Sequence, residues 1–294
     1  MSHAPWRDGA VRLADVRLAY REWPGEKGPV LCLPGLTGHK GTFNRLAEHL
    51  SPEYHILSID LRGRGDSDKP EDGYGFAYHT RDLLALADLW DWASFVLVGH
   101  SFGATLGVYL ASVRPGRIRA AVLIDGGADP KDEVLEAMRP AYRRLGMSYP
   151  TIQALLEDMR GLPFHQPWNP ALEMYFREGA EPTPDGGVRA KTSPHAIQRD
   201  LDLHFSYSMC VHFPSMTCPT LFLRPGLGLL GERGHILDRR EAAAFVKWIP
   251  NARQVDIPGV NHYTMILNER PPIVGPIRSF LAEVLPEPAS ARAS

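Results

Sequence analysis

Phe95-Val96-Leu97-Val98-Gly99-His100-Ser101-Phe102-Gly103-Ala104 is the stretch on which the fold turns. Its first four residues are an unbroken apolar run, as expected of a strand covered on both faces of a sheet. From Phe102 to about Ser112 the apolar spacing becomes helical. Strand and helix are therefore joined by a very tight turn with Gly99 and Gly103 on either side of Ser101. Such a turn holds its central residue at strained φ/ψ and leaves no room for side chains two positions away. The serine oxygen is lifted out of the sheet, and the helix N-terminus beneath it favours developing negative charge. Ser101 is thus a candidate nucleophile. The plainer alternative is a structural turn, since small residues collect wherever the chain bends sharply.

Outward from this turn the same alternation repeats. Val16 to Tyr20, Val30 to Leu33 and Tyr54 to Ile59 read as strands, and so does Ala120 to Ile124. Helical spacing fills the gaps, at Phe43, Leu46, Ala47 and Leu50 and again from Leu83 to Trp90. Short apolar strands between helices predict an α/β fold with a mostly parallel sheet flanked by helices. The alternation stops after the strand Ala120 to Ile124. Residues 127–216 carry helical stretches, many aromatics and methionines, and proline-rich breaks, then the pattern resumes at Thr220–Leu223, about Arg239–Trp248, Arg253–Ile257 and about Pro272–Val284. We read residues 1–126 and 217–294 as one core interrupted by a helical insertion over 127–216. The tail from Pro286 reads as disordered.

Composition narrows the function. The 294 residues are 44% hydrophobic and 22% charged, with a formal net charge of −2, and the basic residues are scattered. No basic excess exists to attract nucleic acid, and no apolar run approaches the roughly 20 residues that cross a bilayer. The N-terminus lacks the apolar core of a signal peptide. Cys32, Cys210 and Cys218 form neither a disulfide framework nor a CxxC pair, which suits the cytoplasm. The expected partner is a small-molecule substrate, without nucleic acid, membrane, metal or cofactor; a homodimer is compatible with these features.

Three further segments extend the pattern around Ser101: Leu33-Pro34-Gly35-Leu36, Asp60-Leu61-Arg62-Gly63-Arg64-Gly65-Asp66-Ser67 and Pro258-Gly259-Val260-Asn261-His262. With them the chain resembles the α/β-hydrolase superfamily from about residue 10 to 285. The resemblance implies Ser101 as nucleophile, His262 as its base, and an oxyanion hole formed by the backbone N–H groups of Leu36 and Phe102. Two departures are visible: Pro34 stands where relatives carry His, and Asn261 where they carry Gly. His100 reads as a packing residue of the turn.

The acid of the triad is open at this level. Most relatives place it on the loop after the strand Thr220–Leu223, but here that loop carries no carboxylate before Glu232. Asp238 precedes a helical run and reads more simply as an N-cap. Other relatives use the end of the preceding strand, which is Asp125 in Leu123-Ile124-Asp125-Gly126-Gly127. Asp125 is preferred, with Glu232 and Asp238 as alternatives. Gly226-Leu227-Gly228-Leu229-Leu230-Gly231 matches a dinucleotide-binding pattern, yet no helix opens on it and no acid ends the next strand, so it reads as a glycine-rich loop.

In this superfamily an insertion at 127–216 forms a cap over the nucleophile. Its Tyr142, Met147, Tyr149, Phe164, Trp168, Met174, Tyr175, Phe176, Phe205, Tyr207 and Met209 suit an apolar pocket, and no arginine or lysine stands out as a carboxylate clamp. The expectation is a serine hydrolase that cleaves a carboxylic ester or lactone of a small, fairly apolar substrate through an acyl-enzyme. Carbon–carbon, amide or peptide hydrolysis and perhydrolysis are rivals on the same residues. A small-molecule receptor that retains the hydrolase pocket is the rival from another class.

Overall fold

Apolar runs separated by helical ones build a large mixed sheet in the computed structural model, which describes residues 6–204 and 208–286. The chain runs through β1 (Arg7–Arg12), β2 (Arg17–Trp23), β3 (Lys27–Leu33), α1 (Asn44–Leu50), β4 (Tyr54–Ile59), α2 (Phe76–Leu89), β5 (Phe95–His100), α3 (Phe102–Val113) and β6 (Ile118–Ile124). It then leaves the sheet for α4 (Asp132–Arg143), β7 (Ser148–Tyr149), α5 (Ile152–Arg160), α6 (Pro170–Glu178), β8 (Ala180–Pro182), β9 (Val188–Ala190) and α7 (Pro194–His204). It returns as β10 (Thr220–Pro225), α8 (Arg239–Trp248), β11 (Ala252–Ile257) and α9 (Val274–Val284).

The large sheet has the order β1-β2-β4-β3-β5-β6-β10-β11. Every pair from β4 to β11 is parallel, and only the pairs involving β2 are antiparallel. Strict alternation along the central strands sends Leu31, Leu33, Leu97, Ala121 and Leu123 to one face. Val30, Cys32, Val96, Val98, Val122 and Ile124 go to the other. The first face is covered by α2, α3 and α8 through Leu83, Leu106 and Phe245, the second by α1 and α9 through Leu46 and Phe280. Each buried Leu, Val, Ile or Phe among them stabilises the fold by roughly 1.5–3 kcal/mol. Burial on both faces explains why these strands read as continuous apolar runs rather than alternating ones.

Sequence reading missed β1, whose Arg-Asp-Gly-Ala-Val-Arg is polar because it is an edge strand with exposed positions. Between β6 and β10 the chain holds the helices α4 to α7 and also the small antiparallel sheet β7-β9-β8. Strands of two or three residues carry no period to detect. Phe205, Tyr207 and the tail beyond Pro286 lie outside the described residues. Among the described residues no helix is long and apolar enough to cross a membrane.

Candidate active site

Parallel pairing sets the ends of β5, β6 and β10 level with one another: His100 faces Ile124, and Ile124 faces Leu223. The residues that follow β5 and β6 are Ser101 and Asp125, and both depart from ordinary backbone geometry. Ser101 has φ 54° and Asp125 φ 41°, left-handed values that L side chains avoid. Each is held there by its neighbours. The Ser101 N–H donates to the Ile124 carbonyl and the Asp125 N–H to the Leu223 carbonyl, both at 2.9 Å. A Cβ on Gly99 would collide with the Gly103 carbonyl, one on Gly103 with the Leu33 carbonyl, and one on Gly126 with the backbone of Ser101. Those glycines are steric requirements of the turn.

His262 lies on the loop after β11 and is 2% exposed, as is Asp125. Its Nδ1 is 2.7 Å from Asp125 Oδ2, so Nδ1 carries the proton and donates it, leaving Nε2 as the basic nitrogen. The ring is held on two sides. The His100 ring lies tilted against it at 4.5 Å and Tyr263 meets it edge-on at 5.1 Å. Burial pushes the His100 imidazole well below its usual range and keeps it neutral, and its Nε2 donates to the His262 carbonyl at 3.0 Å. Asn261 also has a clear task. Its Oδ1 accepts from the N–H groups of Tyr263 and Thr264 at 3.0 Å, and its Nδ2 donates to the Phe164 carbonyl at 3.0 Å. The loop is thus clamped where a glycine would leave it freer.

Neither of the other two carboxylates considered from sequence pairs with His262. Asp238 caps α8 in a reciprocal pair with Glu241, and Glu232 is exposed. The glycine-rich loop bends back on itself through the pairs Gly228–Gly231 and Leu230–Arg233, and no helix opens on it.

Leu36 stands beside the serine. A Cβ on the adjacent Gly35 would lie 3.3 Å from Ser101 Cβ. The Gly35 carbonyl accepts from Gly38 N–H at 2.9 Å, and in a trans peptide this turns the Leu36 N–H the opposite way. On its other side the Leu36 carbonyl accepts from Arg64 Nε at 3.1 Å. Phe102 opens α3, so its N–H has no carbonyl a turn earlier within the helix. Arg64 lies 5.7 Å over the Phe102 ring and pairs with Asp200 of α7 at 2.5 Å, both side chains being fully buried. Burial alone would raise the Asp200 carboxyl, but Arg64 and His79 hold it well below the usual carboxylate range.

Two cavities meet at Ser101. One is lined by Leu36, Phe102, Ala128, Met138, Tyr142, Leu201, His204 and Ile236, a largely apolar set drawn from core and insertion. The other joins Ser101 to His262 past Thr37, Thr42, Met138, Tyr175 and Tyr263. Sequence reading gave no role to Thr37, Thr42, Tyr263 or Arg64; the adjacency of Tyr263 to His262 was the one available signal. Among the described residues no three His, Cys, Asp or Glu side chains gather as a metal site.

The family model of the alpha/beta hydrolase fold matches residues 28–269. This chain belongs to the α/β-hydrolase family. It is 28% identical over 253 residues to a 2-(acetamidomethylene)succinate hydrolase of Mesorhizobium japonicum, covering 86% of this chain and 87% of that one. The crystal structure of an E-2-(acetamidomethylene)succinate hydrolase superposes with a TM-score of 0.83 at 25% identity, over 94% of this chain and 99% of that one. An α/β hydrolase from Novosphingobium aromaticivorans gives 0.76 at 27% identity, over 95% and 98%. The protein is a hydrolase of this family.

Proposed function

We propose that this hydrolase cleaves a carboxylic ester or lactone of a small substrate through an acyl-enzyme, with Ser101, His262 and Asp125 as its triad. The observation that carries the reading is the buried Asp125–His262 pair opening on the same cavity as a serine held at positive φ. His262 Nε2 takes the Ser101 proton as Oγ attacks the acyl carbon, and Asp125 stabilises the imidazolium that results. The Leu36 and Phe102 N–H groups hold the oxyanion. Collapse of the tetrahedral intermediate expels the alcohol, which receives the proton from His262. Water, deprotonated by the same nitrogen, then releases the acid and restores Ser101. The segment 127–216 acts as a cap: Met138, Tyr142 and Leu201 give the substrate an apolar wall and exclude water. The free cysteines support a reducing, cytoplasmic setting.

Amide cleavage is the second reading, favoured by the relative named for 2-(acetamidomethylene)succinate. The steps are unchanged except that His262 protonates a departing nitrogen. Turnover of a short p-nitrophenyl ester, with a burst equal to the enzyme concentration and Ser101→Ala as control, tests the ester reading; the matching p-nitroanilide tests the amide. If neither is cleaved and a fluorophosphonate does not label Ser101, a receptor is the better account.

A further inference from the structure

Buried guanidinium groups in this molecule have carboxylate partners. Arg21 pairs with Asp8 and Glu178, Arg62 with Asp82, and Arg64 with Asp200. Arg144, just past α4 and 8% exposed, is different. Among the described residues no carboxylate pairs with it, and the contact it makes is with the Phe176 ring, 5.5 Å from its guanidinium carbon. It lines a small cavity with Thr37, Tyr175 and Thr192. Thr37 and Tyr175 also line the cavity that holds Ser101 and His262, so the two spaces share a wall. No carboxylate lines either space; His39 and Tyr175, which share the Arg144 space, are both neutral, burial pushing His39 down to about 4 and the Tyr175 hydroxyl up.

A buried charge without a counter-ion is a costly arrangement that an incoming anion relieves. The planar fork of arginine matches a carboxylate in two parallel hydrogen bonds. We infer that Arg144 binds a carboxylate carried by the substrate, so that the hydrolase acts on half-esters, or the corresponding half-amides, of dicarboxylic acids. The inference rests on the serine-hydrolase reading for the reacting bond, and departs from the neutral substrate expected from sequence. In sequence, Arg143-Arg144 is indistinguishable from a solvated helix end.

The test has two arms. Calorimetry on the Ser101→Ala protein measures binding of succinate, glutarate and adipate, with and without Arg144→Met. At least one diacid should bind, and its affinity should fall at least about tenfold in the double variant, the loss expected for a charge-assisted pair. The second arm compares kcat/KM for the monoethyl and diethyl esters of the same acid by pH-stat. The monoester should be preferred by about tenfold or more, and Arg144→Met should collapse that ratio while Arg144→Lys retains part of it. No diacid binding, or a ratio that Arg144→Met leaves unaltered, overturns the inference. Equal loss on both esters with a lowered melting temperature assigns Arg144 a structural role and overturns it too. If diacids bind through Arg144 but no ester or amide is cleaved, the hydrolase reading fails and the anion site stands.

Discussion

Asp125 carries unusual weight for a single side chain. It is buried, bent to a positive φ, and 2.7 Å from His262, which lines a cavity with Ser101. Replacing it with Asn keeps the volume but presents an amide to Nδ1 and favours the wrong histidine tautomer. Asp125→Asn should lower kcat by about 10⁴-fold with little change in melting temperature. Glu232→Gln, at an exposed position, should leave kcat within about twofold, a surface change of the kind that costs little. Equal losses in the two variants would remove Asp125 from the mechanism. The sequence narrowed the acid to three candidates by chain order alone. It preferred Asp125 only through the placement of acids in relatives, because the decision depends on where the His262 loop folds back over β6, and that is a matter of tertiary contact. Arg144 was illegible for the same reason: its chemistry depends on burial, which local pattern does not encode at a helix end.

Among the elements, α7 anchors a buried ion pair of the core. Its Asp200 receives the Gly75 N–H at 2.6 Å, His79 Nε2 at 3.0 Å and the Arg64 guanidinium, all in the interior. Asp200→Asn keeps an acceptor but strands the Arg64 charge, and should cost about 3–5 kcal/mol in urea denaturation. The double variant Arg64→Met/Asp200→Leu removes both charges and should recover part of that loss, the remainder being the acceptor that the Gly75 N–H and His79 lose. Recovery of stability without recovery of kcat would separate packing from the support that Arg64 gives the Leu36 backbone. The strand β4 over Tyr54–Ile59 was legible as a continuous apolar run because both faces of the sheet demand apolar residues, and α3 from Phe102 by its helical spacing. The edge strand β1 and the sheet β7-β9-β8 were not, since exposure and brevity erase the period.

Taken whole, the molecule contains neutral histidines whose burial makes stability depend on pH. Burial pushes both His39 and His165 down to about 4. Below about 6.5 the unfolded chain takes up protons at these positions that the native state refuses, so stability falls as pH drops from about 6.5 towards 4. Each histidine contributes a slope of up to about 1.4 kcal/mol per pH unit across that window. Urea midpoints measured from pH 7 to pH 5 should therefore decline, and His165→Gln should flatten the decline; a flat profile for the parent protein would exclude this account. The Arg64–Asp200 pair has a consequence for building new enzymes from this one. Because the backbone of Leu36 is braced by an arginine whose counter-charge comes from α7, the insertion is not an interchangeable module. A graft from a relative will yield a working chimera only if it returns an acidic residue to the site of Asp200, or if Arg64 is replaced in the same step.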